Sequence, residues 1–238
     1  MEKYLLSEEE RSFLGYITNP DGKNCAKNAG NTTIIYYIDC EMVETVCGTE
    51  IISIGIGNNN DSDNNIIIKV KPIHKVTNYL TEITGYDESF KYDMTYDEVI
   101  IFLQNKINKS DILVGHCLYV DLNHLNFYHD KIIDTIMIYH HPDGFPYKYS
   151  LKSLAKKYLH KNIQNNIHNP LEDGKTAFEL VVHSLKNKYV KTNWSHIGEK
   201  FVPTIDIVIN AMSITLENVY CIYTRGSRAI ETNNEDSD

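Results

Sequence analysis

The sequence predicts an α/β fold in which a mixed central sheet is flanked by helices. Three observations lead there. Runs rich in β-branched and aromatic residues come first, at 33–39, 50–57 and 65–70. Segments with apolar residues at helical spacing then alternate with short apolar runs. The chain has 238 residues, 42% of them apolar, enough for the full core of an α/β domain.

The elements follow in order. Residues 8–16 read as a short helix capped by Ser7, with Glu10 at the capping-box position. Asn19-Pro20-Asp21-Gly22 is a turn signal, and 28–31 read as loop. The strand at 33–39 ends on its acidic residues, and those at 50–57 and 65–70 are joined by a polar connector as an antiparallel hairpin. Residues 95–109 place Tyr96, Val99, Ile100, Leu103 and Ile107 on one helical stripe. A short buried strand at 111–115 precedes a helix opened by Asp121, and 132–138 read as a strand or a strand–helix junction around Asp134-Thr135. Ser150 starts another helix. The longest pattern runs from Leu171 to about Tyr189, with Ala177, Leu180, Val181 and Leu185 on one stripe. We divide the chain into an N-terminal extension (1–31), a central domain (32–195), a C-terminal extension (196–231) of unassigned structure, and an acidic tail (232–238) expected to be disordered.

Bulk properties narrow the function classes. No apolar stretch approaches the ~18 residues that span a bilayer, and the N-terminus lacks a secretory pattern, so a soluble intracellular protein is expected. Five cysteines form no CxxC pair, which fits free thiols. The formal charge of −9 argues against coating nucleic acid by bulk electrostatics. It leaves room for an enzyme whose acidic residues hold cations that face phosphates.

Candidate site residues are Asp39, Glu41, Asp121, His168 and Asp173, each expected at the end of an element. Asp39 and Glu41 stand two apart on a strand and so share a face. Two such acids repel unless one is neutral or a cation sits between them, and oxygen ligands favour Mg²⁺ or Mn²⁺ over zinc. Taken singly, each has an ordinary reading: strand-end acids facing water, a helix-dipole aspartate at 121, an incidental loop histidine with an acid five residues on. His116 fits either a core histidine or a donor to the site. Four carboxylates and an imidazole together are the equipment of a two-metal phosphodiesterase.

In this combination the chain resembles the DEDDh 3′-to-5′ exonucleases, which have the ribonuclease H-like fold, and within them the eukaryotic RNA exonuclease branch of interferon-stimulated and ribosomal-RNA-processing types. The first motif stands as Ile38-Asp39-Cys40-Glu41-Met42-Val43, followed by Val70-Lys71-Pro72 with Val76, Tyr79, Thr81 and Ile83-Thr84-Gly85. The second stands as Leu113-Val114-Gly115-His116-Cys117-Leu118-Tyr119-Val120-Asp121-Leu122, with Leu125 and Asp134-Thr135 beyond it. The third comprises Ser150-Leu151-Lys152-Ser153-Leu154, Ile163-Gln164, His168 and Glu172-Asp173. Departures fall at Val120 (Asn in the family), near Pro170 (Ser), at Gly174 (Ala), and at Gly85-Tyr86-Asp87 in place of a Gly-Ile-Thr form. None removes a candidate metal ligand.

The resemblance implies two divalent cations, Mg²⁺ or Mn²⁺, with Asp39 bridging both, Glu41 and Asp173 on one, and Asp121 supporting the other. It makes His168 the general base. It places Glu41, Met42, Val43 and His116 against the terminal nucleotide of a single-stranded RNA or DNA 3′ end, with nucleoside 5′-monophosphates as products. RNA is favoured by the first motif and by Val70-Lys71-Pro72 alone. A DNA-directed proofreading or repair exonuclease uses the same five residues, and a non-catalytic nucleic-acid-binding module could keep the fold. A zinc hydrolase lacks any HxxxH-type or CxxC pair.

Overall fold

The computed structural model describes residues 1–17, 24–27, 32–58, 60 and 65–191. Three strands, β1 (Ile35–Thr45), β2 (Gly48–Asn58) and β3 (Ile66–Lys71), form an antiparallel meander. β4 (Val76–Asn78) pairs with the far end of β1, and β5 (Met94–Thr95) runs parallel to β3. β6 (Ile112–Gly115) and β7 (Ile132–Asp134) extend the sheet in parallel beyond β1, giving the order β5-β3-β2-β1-β6-β7. The sheet is therefore mixed, as expected from the sequence.

Side-chain alternation along β1 assigns the two faces. Tyr36, Ile38, Cys40 and Met42 join the core under α3 (Tyr96–Lys106) and α4 (Leu118–His124), through Val99, Ile100, Leu103, Leu118 and Leu122. Tyr37 joins the opposite core with Val114 and Ile133, under α6 (Leu151–Leu154) and α7 (Pro170–Lys186). Asp39 and Glu41, in step with Tyr37, belong to the α7 face.

Caps set the helix limits. α1 (Glu8–Leu14) begins at Ser7, whose hydroxyl accepts from the Glu10 amide while the Glu10 carboxylate accepts from the Ser7 amide. Thr95 and Glu98 make the same box at α3, which ends at Lys106, three residues short of the sequence expectation, because Ile107 turns extended. α6 starts after Ser150, as expected, and continues as a π-helical turn (Ala155–Leu159). Asn169 caps α7, with Pro170 in the first turn.

Close backbone approach brings α7 to the sheet. A Cβ on Gly55 of β2 would lie 2.3 Å from the Leu171 amide nitrogen, and one on Gly174 would lie 3.2 Å from the Ile38 backbone. Glycine at 55 therefore lets the first turn of α7 settle onto the strands that carry Asp39 and Glu41.

Three sequence expectations are corrected. β1 does not end at Asp39 but runs to Thr45, so Asp39 and Glu41 lie mid-strand; Val43 and Thr45 carry the strand pattern on through the acids. α4 does not open at Asp121 but three residues earlier, because Leu118 and Tyr119 are buried and Cys117 makes the turn with φ +60°. β4, α2 (Thr81–Thr84) and β5, at two to four residues each, were not anticipated. The expected turn at 19–22, the loop at 28–31, the C-terminal extension and the acidic tail lie outside the described residues.

The N-terminal segment packs onto the domain. The Leu6 amide donates to the Ile132 carbonyl at the start of β7, and the Tyr4 hydroxyl donates to the Tyr189 carbonyl past α7. Lys191 reaches back to Glu10 at 2.5 Å.

Candidate active site

An open cleft of about 410 Å³ lies where β1, the segment before α6, the 160–169 loop and the start of α7 meet. Asp39, Glu41, His168 and Asp173 line it together with His116, Lys148 and Gln164. One carboxylate oxygen each of Glu41 and Asp173 and one ring nitrogen of His168 lie within 4.8 Å of one another. Glu41 and Asp173 are buried, at 6% and 2% exposure, whereas His168 is half-buried.

Each side chain is placed by identifiable contacts. The bulge between Glu41 and Met42 interrupts regular pairing with β2 just past the two acids. Asp173 sits in the first turn of α7, and its Oδ2 accepts from the Gln164 side chain at 2.7 Å. Its Oδ1 is buried with no hydrogen-bond partner. The His168 amide donates to the Ile83 carbonyl at 2.7 Å, tying its loop to α2, and Nδ1 lies 3.9 Å from Glu41 Oε1.

Asp121 lies buried on α4 and does not line the cleft, although its carboxylate accepts from the Cys40 amide. A second buried acid fixes α4. Asp134 accepts from the amides of Cys117 and Leu118, each at 2.9 Å, and from the Tyr16 hydroxyl at 2.8 Å. A pair of helix-starting amides and a phenol thus hold the turn that delivers Asp121.

Electrostatics report crowding of like charges. Burial first, then Asp121, Asp173 and Glu41, hold the Asp39 carboxyl well above the usual carboxylate range. Burial and then Asp134 do the same to Asp121. Glu41 is pushed up to about 8 by burial and Asp173, and Asp173 up to about 6 by burial, against the Gln164 hydrogen bond. Burial and the nearby Lys152 lower His168, leaving a neutral imidazole at pH 7. His116 is lowered to about 4 by burial and Lys148, with one ring nitrogen 2.8 Å from the Thr135 hydroxyl.

The site gathers most of its sequence candidates. Met42 is half-buried against the core and Val43 fully buried, and neither lines the cleft, so Val43 presents no side-chain surface to a substrate here. Gln164 appeared in the third motif without a role, and Lys148 lay outside the motifs. Asp134 stood beyond the second motif at a strand–helix junction, without a role.

This fold brings paired acids mid-strand, an acid in the first turn of a facing helix and a loop histidine to one cleft, a donor set that could hold a metal ion. The family model described as Exonuclease (RNase T) matches residues 36–181, and the chain belongs to that family. It is 37% identical over 158 residues to RNA exonuclease 1 of Saccharomyces cerevisiae, covering 64% of this chain and 28% of that protein. It is 33% identical over 189 residues to RNA exonuclease 3 of Schizosaccharomyces pombe, covering 77% of this chain and 32% of the relative. The chain thus spans about a third or less of the length of these relatives. The Saccharomyces cerevisiae Pan2 pseudoubiquitin hydrolase–RNA exonuclease module in complex with A7 RNA has the same fold, with TM-score 0.54, 21% identity, and coverage of 84% of this chain and 35% of that one. The Neurospora crassa Pan2 catalytic unit also aligns with TM-score 0.54, at 19% identity, covering 82% of this chain and 35% of that one. Among the described residues no helix is long and apolar enough to cross a membrane.

Proposed function

We propose that this chain is a divalent-metal-dependent 3′-to-5′ exonuclease that hydrolyses single-stranded RNA to nucleoside 5′-monophosphates. The observation that carries the reading is Asp173 Oδ1, buried and without a partner, beside Glu41 and His168. A buried, unpaired carboxylate oxygen among like charges is costly unless a cation completes its coordination. The donors fit a hard ion, Mg²⁺ or Mn²⁺, which Asp39, Glu41 and Asp173 would hold, while Asp121, buried behind the cleft lining, would add negative charge felt by Asp39. When bound, the ions supply positive charge to the phosphate and raise the acidity of water.

The chain's own residues do the rest. His168, neutral and exposed to the cleft, accepts the proton of the attacking water. Gln164 orients Asp173 by donating to its Oδ2, as outer partners of metal ligands do. The names of the relatives, RNA exonuclease 1 and RNA exonuclease 3, support RNA as the substrate.

Parallel digestion of matched 5′-labelled RNA and DNA single strands in Mg²⁺ tests the reading. RNA shortened stepwise from its 3′ end, with 5′-monophosphates released, is expected. Preferential DNA cleavage would overturn the substrate, and absence of cleavage of either would overturn the activity.

A further inference from the structure

The cleft that gathers these acids also has a cation on its wall, Lys148. Its partners are neutral, unlike those of some other lysines here. Lys161 and Lys191 are paired with Glu179 and Glu10, and Lys152 donates to the Gln164 carbonyl at 2.6 Å. Lys148 instead donates to the Tyr119 hydroxyl at 3.1 Å, stands 5.3 Å from the centroid of that ring, and hydrogen-bonds to the Cys117 side chain. Among the described residues no carboxylate forms an ion pair with it within 4.0 Å.

Neutral partners leave its charge uncompensated. Burial works against that charge, the hydrogen bonds to the Tyr119 and Cys117 side chains favour it, and the net effect holds Lys148 above its ordinary range, so the ammonium is protonated near pH 7. The thiol, pushed up to about 12, is itself neutral near pH 7. The mounting is also stiff. Tyr119 is buried and packs edge-on against Tyr16, whose hydroxyl is anchored on Asp134. The backbone of Lys148 is bridged to His140 across the loop. An ammonium has three donors, two used here on neutral groups, and the third is free for an anion entering the cleft.

We propose that Lys148 is a substrate-binding residue that takes a non-bridging phosphate oxygen of the bound strand. The assignment rests on the exonuclease reading, since it presumes a polyanion in this cleft. A polyphosphate strand entering a wall of Asp39, Glu41 and Asp173 meets repulsion wherever cations do not screen it. Lys148 supplies attraction on the same wall without competing for the metal ligands. Tyr119 and Cys117 act as positioning residues for it.

Steady-state kinetics of the full chain on a 5′-labelled single-stranded RNA, over about 50 to 200 mM salt, test this. The variants are Lys148→Ala, Lys148→Arg and Tyr119→Phe. Lys148→Ala is expected to raise KM roughly tenfold with kcat within about twofold, as for a lost charged hydrogen bond. It should also reduce the slope of log KM against log salt by about 0.7, the value for one phosphate contact on a single strand. Lys148→Arg should restore the slope, and Tyr119→Phe should show a smaller rise in KM. A Lys148→Ala enzyme with wild-type KM and salt slope overturns the proposal. So does one that loses kcat and thermal stability at an unchanged slope, which would make Lys148 a tether between its loop and α4. If wild type itself releases no nucleotide, the exonuclease reading fails and this assignment with it, an outcome distinct from both.

Discussion

Replacing Glu41 with Gln should stabilise the metal-free protein at alkaline pH. The Glu41 carboxyl moves from an ordinary value of 4.5 to about 8 on folding, and Asp173 from 3.8 to about 6. Both folded values lie above the unfolded ones, so over that interval the native state holds protons that the unfolded chain has released. Stability is therefore fully present below about pH 4 and is lost as pH rises through about 8. At about 1.4 kcal/mol per pH unit, Glu41 accounts for about 5 kcal/mol of that loss and Asp173 for about 3 kcal/mol. The two figures overlap, because part of the Glu41 shift is repulsion from Asp173. Denaturant unfolding in EDTA from about pH 4.5 to about pH 8.5 reads the effect. Wild type should lose several kcal/mol across the range, whereas Glu41→Gln should lose markedly less and exceed wild type by about 3–5 kcal/mol at the alkaline end. Mg²⁺ or Mn²⁺ should restore wild type, since an ion that binds only the folded state stabilises it by mass action. A flat wild-type profile in EDTA, or a Glu41→Gln profile as steep as wild type, would refute the charge-crowding argument.

Other outcomes follow from the same geometry. Gly55→Ala drives a methyl into the Leu171 backbone, which has no flexible end to yield, so unfolding measurements should show a loss of about 2 kcal/mol or more together with reduced activity. Gln164→Leu removes the side-chain hydrogen bond to Asp173 Oδ2, and titration calorimetry should show Mn²⁺ affinity reduced about tenfold while saturating metal recovers turnover. His168→Ala should lower kcat by about a hundredfold or more with KM little changed, and unchanged turnover would remove it as the base. Tyr16→Phe strips one donor from buried Asp134, and thermal melts should show a loss of about 1–2 kcal/mol.

Much of this was legible in the residues because the signals were local. Ser7 with Glu10 announced α1, and runs rich in β-branched and aromatic residues marked β1 to β3. The stripe through Ala177, Leu180 and Val181 located α7. The end of β1 was misread because acids in a strand look like its exit, whereas here they face a cleft and the chain keeps pairing to Thr45. The elements at 76–78, 81–84 and 94–95 are too short to carry a period and exist through tertiary contacts, such as the tie from Ile83 to His168. The parts of the site that escaped are its supports. Gln164 on Asp173, Asp134 on the Cys117 amide and Lys148 on Tyr119 join residues 9, 17 and 29 positions apart through hydrogen bonds that involve a side chain, and no pattern along the chain marks such pairs.

In the proposed function, Asp39, Glu41, Asp121 and Asp173 act by holding divalent cations against a strand's 3′ end. The most direct measurement is Mn²⁺ binding and nucleotide release on the same samples of wild type and Asp39→Asn, with and without EDTA. Wild type is expected to bind Mn²⁺ and cleave, EDTA to stop cleavage and added Mg²⁺ or Mn²⁺ to restore it, and Asp39→Asn to lose both binding and cleavage while staying folded. Undiminished release of nucleotides in EDTA, or full activity in Asp39→Asn, would contradict it.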